Sequence, residues 1–391
     1  MMSDLKGNLL VVDDNEMNRD MLSRRLSRRG HTVTTAEDGH IALDLIDKHA
    51  FDVILLDIMM PGISGIEVLK TLRQSYSHAD LPIIMATAKS ENEDMIAALK
   101  LGANDYVTKP LDFPVVLARV NTQLSLKRSQ DALKKAHDRM KHDLDAAAEI
   151  QQKWLPDDLP KTDSIDMAWK FHPCDELAGD FLNIIQLNEN EIGIYVMDVM
   201  GHGVQAALLS FSVSRNLSPM AGSDSIVLKS GEQDPVSPVE VLTNLNTLYP
   251  FLANNNRFFT LLYGILDLRD SRFRYACGGH PGPLIFSSNG QIQDLTENSF
   301  PIGIVEEADF EQAEIKLNPG DRMYLYSDGF IEETNTNGEL FDINQFQESL
   351  KNNNASTIDK SIEQAVDAII AWHGDEHLSD DLSIIGIEMK S

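Results

Sequence analysis

Apolar runs that stop at an aspartate recur along this chain and constrain its fold more than any other feature. Asn8-Leu9-Leu10-Val11-Val12 runs into Asp13-Asp14, and Val53-Ile54-Leu55-Leu56 runs into Asp57. The C-terminal half repeats the pattern in Ala178-Gly179-Asp180-Phe181, Val196-Met197-Asp198-Val199, Leu325-Tyr326-Ser327-Asp328-Gly329 and Ser379-Asp380-Asp381-Leu382-Ser383. Each aspartate is expected at the end of a strand-like run, and an unbroken apolar run marks a strand covered on both faces. Carboxylates gathered away from water cost free energy unless a cation neutralises them. Oxygen donors without a matching His or Cys cluster point to Mg²⁺ or Mn²⁺. Two such sets, one in each half, describe two magnesium-type phosphoryl sites in series.

At 391 residues the chain is long enough for two or three domains. Its net charge of -28 argues against nucleic acid or an anionic membrane as partner, since both repel an acidic surface. Cys174 and Cys277 lack CxxC spacing, so neither a disulfide framework nor a zinc site is expected. The opening Met1-Met2-Ser3-Asp4-Leu5-Lys6 has no signal-peptide layout and no apolar run is long enough to cross a bilayer, which sets the expectation of a cytoplasmic protein.

Over residues 5–125 strand-like and helical patterns alternate, the signature of a doubly wound parallel sheet whose ligands bind at the carboxyl ends of the strands. Asp13, Asp14, Asp57, Thr87 and Lys109 all fall at such ends. Asp13 and Asp14 with Asp57 suit Mg²⁺, which neutralises an incoming phosphoryl group and leaves Asp57 as nucleophile. Thr87 suits a hydrogen bond to a phosphoryl oxygen, and Lys109 suits pairing with its charge. The segment resembles the receiver domain of bacterial two-component response regulators in Asp13-Asp14, Asp57 with Met60-Pro61-Gly62, Thr87-Ala88, Tyr106 and Lys109-Pro110. That resemblance implies a five-stranded sheet, phosphorylation of Asp57 by a histidine kinase or phosphotransfer protein, and the Met59 carbonyl as a further Mg²⁺ ligand. It also implies switching through Thr87 and Tyr106, and a cis bond before Pro110.

Residues 118–158 form the expected connector: no Gly or Pro interrupts 115–155, which predicts one long helix. Leu126, Leu133, Met140, Leu144, Ala147 and Trp154 recur at spacings of three and four, with Gln130, His137 and Gln151 on the same seam, a heptad stripe weakened by polar residues. Two readings stay open, a coiled coil between two copies in a homodimer and a helix packed on its own domains.

Over residues 160–390 apolar runs at 192–196, 259–266, 322–326 and 382–387 come in blocks separated by helical patterns at 204–217, 238–252 and 357–372, which predicts an α+β sandwich. Asp198-Val199-Met200-Gly201-His202-Gly203 suits a turn closing around an ion, with the Val199 carbonyl as a ligand. For His202 a general acid, a metal ligand and a structural turn residue stay open; the loop around His280 is either a site frame or a plain turn. These pieces resemble the metal-dependent serine/threonine phosphatases of the PPM superfamily, in their SpoIIE-type branch. The matching points are Ala-Gly-Asp180-Phe, Asp198 with Gly-His-Gly, Phe259-Thr260, Gly-His280-Pro, Pro301-Ile302-Gly303, Ser-Asp328-Gly329 and Asp380-Asp381.

The resemblance implies two Mn²⁺ or Mg²⁺ ions bridged by Asp198. Asp180 and the Val199 carbonyl complete one site, Asp328 and Asp380 the other, and Asp381 ranks below Asp380 as a ligand. It further implies attack on phosphorus by a water acidified between the ions, with a phosphorylated anti-sigma-factor antagonist as substrate in a partner-switching pathway. Departures from the pattern are Ala178, Met200 and Cys277-Gly278, none of them at a ligand, and no arginine is evident for gripping phosphate. The alternative is a non-catalytic adaptor that binds a sigma factor or its regulator through a degenerate phosphatase fold.

Overall fold

A computed structural model describes residues 5–88, 92–220, 225–229, 234–254, 256–296, 298–351, 356–375 and 377–390. The chain divides into two compact units at Lys141 and His142. In the first, β1 (Asn8–Val12), α1 (Glu16–Arg28), β2 (Thr32–Ala36), α2 (Gly39–Lys48), β3 (Val53–Asp57), α3 (Gly65–Leu72), β4 (Ile83–Ala88), α4 (Asn92–Lys100) and β5 (Asp105–Lys109) alternate, and α5 (Phe113–Gln152) begins. All strands are parallel in the order β2-β1-β3-β4-β5. Successive side chains point to opposite faces. Leu10, Val12, Ile54, Leu56, Ile83 and Met85 fill one core, while Leu9, Val11, Val53, Leu55 and Ile84 meet Leu22, Leu26, Val116 and Val120 in the other. Burial on both faces is why these strands read as continuous apolar runs.

The second unit holds β6 (Ile165–His172), β7 (Phe181–Gln186), β8 (Glu191–Val199), α6 (Val204–Asn216), α7 (Pro238–Leu248), β9 (Phe259–Asp267), β10 (Arg272–Gly278), β11 (Leu284–Phe286), β12 (Ile292–Asp294) and β13 (Ala313–Lys316). It closes with β14 (Arg322–Tyr326), α8 (Gly329–Glu332), α9 (Ile343–Lys351), α10 (Ile358–His373) and β15 (Leu382–Met389). Two antiparallel sheets, β13-β10-β9-β8-β7 and β12-β11-β14-β15-β6, pack face to face. Tyr195, Phe259, Leu262 and Tyr263 share a core with Met323, Leu325, Ile385 and Ile387, while α6 and α7 cover the outer face of the first sheet and α9 and α10 that of the second. This is a helix-sheet-sheet-helix sandwich.

One expectation is corrected here. Asp198 lies at the end of β8 and Asp328 just past β14, but Asp180 precedes β7 and Asp380-Asp381 precede β15. The reason is antiparallel pairing: Phe181 lies opposite Met197, and Ile384 opposite Tyr326. The start of one strand therefore shares an edge with the end of its neighbour, and all the aspartates gather at one edge by alternating ends and starts.

Candidate metal centres and active site

In the first unit the carboxyl ends of β1 and β3 bring Asp13, Asp14 and Asp57 together, with carboxylate oxygens within 4.8 Å of one another. Lys109, at the end of β5, reaches Asp57 Oδ2 at 2.5 Å and Asp13 Oδ2 at 3.1 Å. Asp13 is oriented by the Asn15 N–H at 2.9 Å and by the Asn18 side-chain amide at 3.1 Å, and Asn15 itself caps α1. Burial holds the Asp57 carboxyl above the usual carboxylate range, against the opposing pull of Lys109. The ammonium stands where a cation is wanted, and the fit for Mg²⁺ rests on three carboxylates at a strand-order switch point. The Met59 N–H donates to Asp57 Oδ1 at 3.4 Å. Thr87 is buried one strand over, Tyr106 is half-buried against the core, and the bond between Lys109 and Pro110 is cis.

In the second unit Asp180, Asp198, Asp328 and Asp380 act on one another electrically. Burial first, then Asp198 and Asp381, hold the Asp180 carboxyl well above the usual range. Burial followed by Asp328, Asp380 and Asp381 does the same to Asp198. Asp328 is pushed up to about 6 by burial, Asp380 and Glu332, and Asp380 is raised by burial before Asp381 and Glu332. Asp180 Oδ2 is buried without a hydrogen-bond partner. A fully buried, orphaned carboxylate oxygen among like charges is what a divalent cation would satisfy, so the residues fit the group.

Asp381, with Cys174 and Asp380, offers candidate ligand atoms within 4.8 Å of one another, and it also holds backbone. Its Oδ1 accepts the Cys174 N–H at 2.8 Å, and its Oδ2 accepts the N–H groups of Gly179 at 2.8 Å and Asp180 at 3.3 Å. With three backbone donors it fastens the loop that carries Asp180. Gly179 is obligatory in this loop, because a Cβ there would lie 2.7 Å from the Gly201 carbonyl oxygen and 2.8 Å from that of Val199. Gly201 and Gly203 both take positive φ, the turn expected after Asp198.

His202 is exposed, with Nδ1 3.2 Å from Asp175 Oδ2. His280 is buried, with Nδ1 2.7 Å from Thr260 Oγ1, and Thr260 lies opposite Asp198 in the sheet register. Three residues of this region escaped the sequence reading. Arg257 donates to the Met200 carbonyl and, at 3.2 Å, to Gln205 Oε1, placing a guanidinium against the turn after Asp198. Glu333, buried, accepts the Ser379 N–H at 2.9 Å and so steadies the residue before Asp380. Gln151, expected on the heptad seam, turns instead onto its own unit, where it is buried against Ala178.

A parallel-sheet unit with an acidic cluster at its strand ends, followed by an antiparallel sandwich with an acidic edge, defines a response regulator with a protein serine/threonine phosphatase as its output. The chain belongs to the Stage II sporulation protein E (SpoIIE) family, whose model matches residues 188–390, more than half of its length. The response regulator receiver domain matches residues 9–121. Among solved structures, the SiaA-PP2C domain of Pseudomonas aeruginosa is 22% identical over 65% of this chain and 99% of its own, with a TM-score of 0.54. The RsbU and RsbW domains of Rv1364c from Mycobacterium tuberculosis are 21% identical over 60% of this chain and 63% of their own, with a TM-score of 0.50. The receiver domain of the Francisella response regulator 1452 is 35% identical over 30% of this chain and 97% of its own, with a TM-score of 0.29. The chain thus takes a phosphorylation input and acts on a protein substrate. Among the described residues no helix is long and apolar enough to cross a membrane.

Proposed function

We propose that Asp180, Asp198, Asp328 and Asp380, with the Val199 carbonyl, hold two Mn²⁺ or Mg²⁺ ions, and that Asp57, with Asp13, Asp14 and the Met59 carbonyl, holds a third as Mg²⁺. Held there, divalent cations supply Lewis acidity, neutralising the phosphate and acidifying water for in-line attack. The chain's own residues do the positioning. Asp381 fixes the backbone of Gly179 and Asp180, Glu333 steadies Ser379 ahead of Asp380, and the Thr260–His280 pair braces the strand beside Asp198. No side chain needs to become covalently modified in the phosphatase half, since water is the nucleophile.

The observation that carries this reading is the gathering of four carboxylates on one sandwich edge, each raised first by burial and then by neighbouring carboxylates. A degenerate adaptor would have shed some of them, and this chain retains the full set. On this reading the substrate is a phosphorylated anti-sigma-factor antagonist, a choice supported by membership of the SpoIIE family. A histidine kinase or phosphotransfer protein charges Asp57, with Thr87 and Tyr106 as the switch pair and Lys109 as counter-ion. These partners place the reaction in the cytoplasm. Leu126, Leu133 and Met140 stand exposed at seven-residue intervals on α5, which supports a homodimer through that helix.

The test is phosphate release from a phosphoserine antagonist in Mn²⁺. Asp198→Asn should abolish turnover, since it removes a carboxylate that would hold the cations. Undiminished turnover rules the mechanism out.

A further inference from the structure

The edge of the second unit that carries Asp328 runs on past it. The sheet continues outward from β14 to β11 and β12, with Tyr324 opposite Leu284 and Leu284 opposite Asp294. Pairing is antiparallel, so the end of β14, the start of β11 and the end of β12 share that edge. There a cavity of about 330 Å³ opens beside Asp328. This is the small end of the range for ligand sites, about 300–1,000 Å³, and suits one side chain of a larger partner.

Two kinds of wall meet in it. Pro281, Ile331 and Ile343, all half-buried, give apolar sides, while Asp294 and Glu332, both exposed, give carboxylates. Among the described residues no Lys, Arg or His lines it. Asp294 is oriented from within its own loop: the Thr296 N–H at 3.0 Å and the Thr296 hydroxyl at 2.7 Å both donate to its Oδ1. Thr296 Oγ1 in turn accepts the Gly282 N–H at 3.1 Å. A Cβ on Gly282 would lie 2.2 Å from the Leu295 carbonyl oxygen, so only glycine lets these two loops touch. Glu332 ends α8 one turn after Asp328, its N–H donating to the Asp328 carbonyl at 2.9 Å. Carboxylates set over apolar walls match a side chain that is aliphatic along its stem and cationic at its tip.

We propose that this cavity receives a lysine or arginine of the phosphoprotein, close in sequence to the phosphoserine. Its methylenes lie against Pro281, Ile331 and Ile343, and its charge falls between Asp294 and Glu332. The phosphatase thereby selects phosphoserines that have a basic neighbour. This deepens the reading of Asp328 as a cation ligand and rests on it, because Asp328 stands on the cavity wall and sets where the phosphate lies. On this reading the loop around His280 is a site frame, with Pro281 as wall and Gly282 holding Thr296 against Asp294. The contacts are the same before and during attack on phosphorus, so they act on KM rather than on kcat.

Full-length protein in Mn²⁺ is given phosphoserine peptides of glycine and alanine. One lysine, moved through each position on either side of the phosphoserine, is compared with norleucine at the same position, which keeps the stem and removes the charge. At one position lysine should raise kcat/KM by about tenfold, through KM, and added salt should shrink the gain, as expected of partly exposed ion pairs. Asp294→Asn keeps an acceptor for Thr296 and should cut the ratio between the two peptides to about threefold. Asp294→Lys combined with Glu332→Gln should favour glutamate over lysine at that position, an inversion that a merely structural role could not produce. Equal use of lysine and norleucine peptides at every position overturns the proposal, and so does a preference for norleucine or one that the double variant leaves whole. Asp328→Asn separates the two readings. Turnover that survives it removes Asp328 as a ligand and the proposal with it; turnover lost in that variant, beside equal use of all peptides by the wild type, removes the proposal alone.

Discussion

His280 lies between glycine and proline in a turn-rich segment, yet it is a buried imidazole held at Nδ1 by Thr260. Burial pushes its pKa down to about 3. The folded value lies below the unfolded one of about 6.5, so the unfolded chain gains a proton first as pH falls. The stability that the neutral ring contributes is complete above about pH 6.5 and is lost as pH falls from there toward 3. At 1.4 kcal/mol per pH unit this amounts to about 2 kcal/mol between pH 7 and pH 5. His280→Asn keeps a partner for Thr260 and removes the titration. Urea unfolding of the two proteins should therefore show the wild type losing about 2 kcal/mol more than the variant over that interval. Parallel profiles would mean that His280 titrates freely. The same contrast explains what was legible at this scale. Asp57, Asp198 and Asp328 announce themselves because clustered carboxylates have few purposes. Gln151 and Asp381 act through backbone partners 27 and over 200 residues away, so their local motifs, a heptad seam and an Asp-Asp pair, do not show those contacts.

Elements were legible where both faces are buried or where composition is uniform. The strands β8, β9, β14 and β15 are buried almost throughout, so they stand out as apolar runs. The edge strands β12 and β13 are short and half polar, and β6 mixes buried and exposed positions, so none of them rises above a loop. Helix α5 is continuous for 40 residues, with Pro114 confined to its first turn where a missing N–H costs nothing. Its seam divides by position. Gln151 is buried in the second unit, whereas Leu126, Leu133 and Met140 are 53%, 72% and 59% exposed. Large aliphatic side chains this exposed at heptad spacing favour a helical partner. Leu133→Glu sets a charge at the centre of that stripe. Sedimentation velocity should show a wild-type dimer and a monomeric variant at the same concentration, with far-ultraviolet helicity within a few per cent of each other; two proteins sedimenting alike would remove α5 as a dimer seam.

Across the whole chain, the feature that matters is that α5 belongs to both units: it begins as the last helix of the receiver core, through Val116 and Val120, and ends in the pair between Gln151 and Ala178. Coupling between two sites is a free-energy difference between two states of something they share, and this helix is the shared element. Occupying Asp57 with a beryllofluoride phosphoryl mimic adds negative charge beside Asp13, draws on Lys109, and should bias the receiver toward one of its states. Ordinary coupling energies of about 1–3 kcal/mol correspond to about 5- to 150-fold in affinity. The mimic should therefore change kcat/KM for the phosphorylated antagonist by at least about fivefold. Asp57→Asn should abolish that response while retaining basal turnover, because Asp57 contributes nothing to the phosphatase edge. Leu133→Glu should blunt it if the signal passes through a helix pair, and leave it whole if a single helix suffices. A rate indifferent to the mimic in the wild-type protein would mean that the two carboxylate sites share a chain without sharing a state.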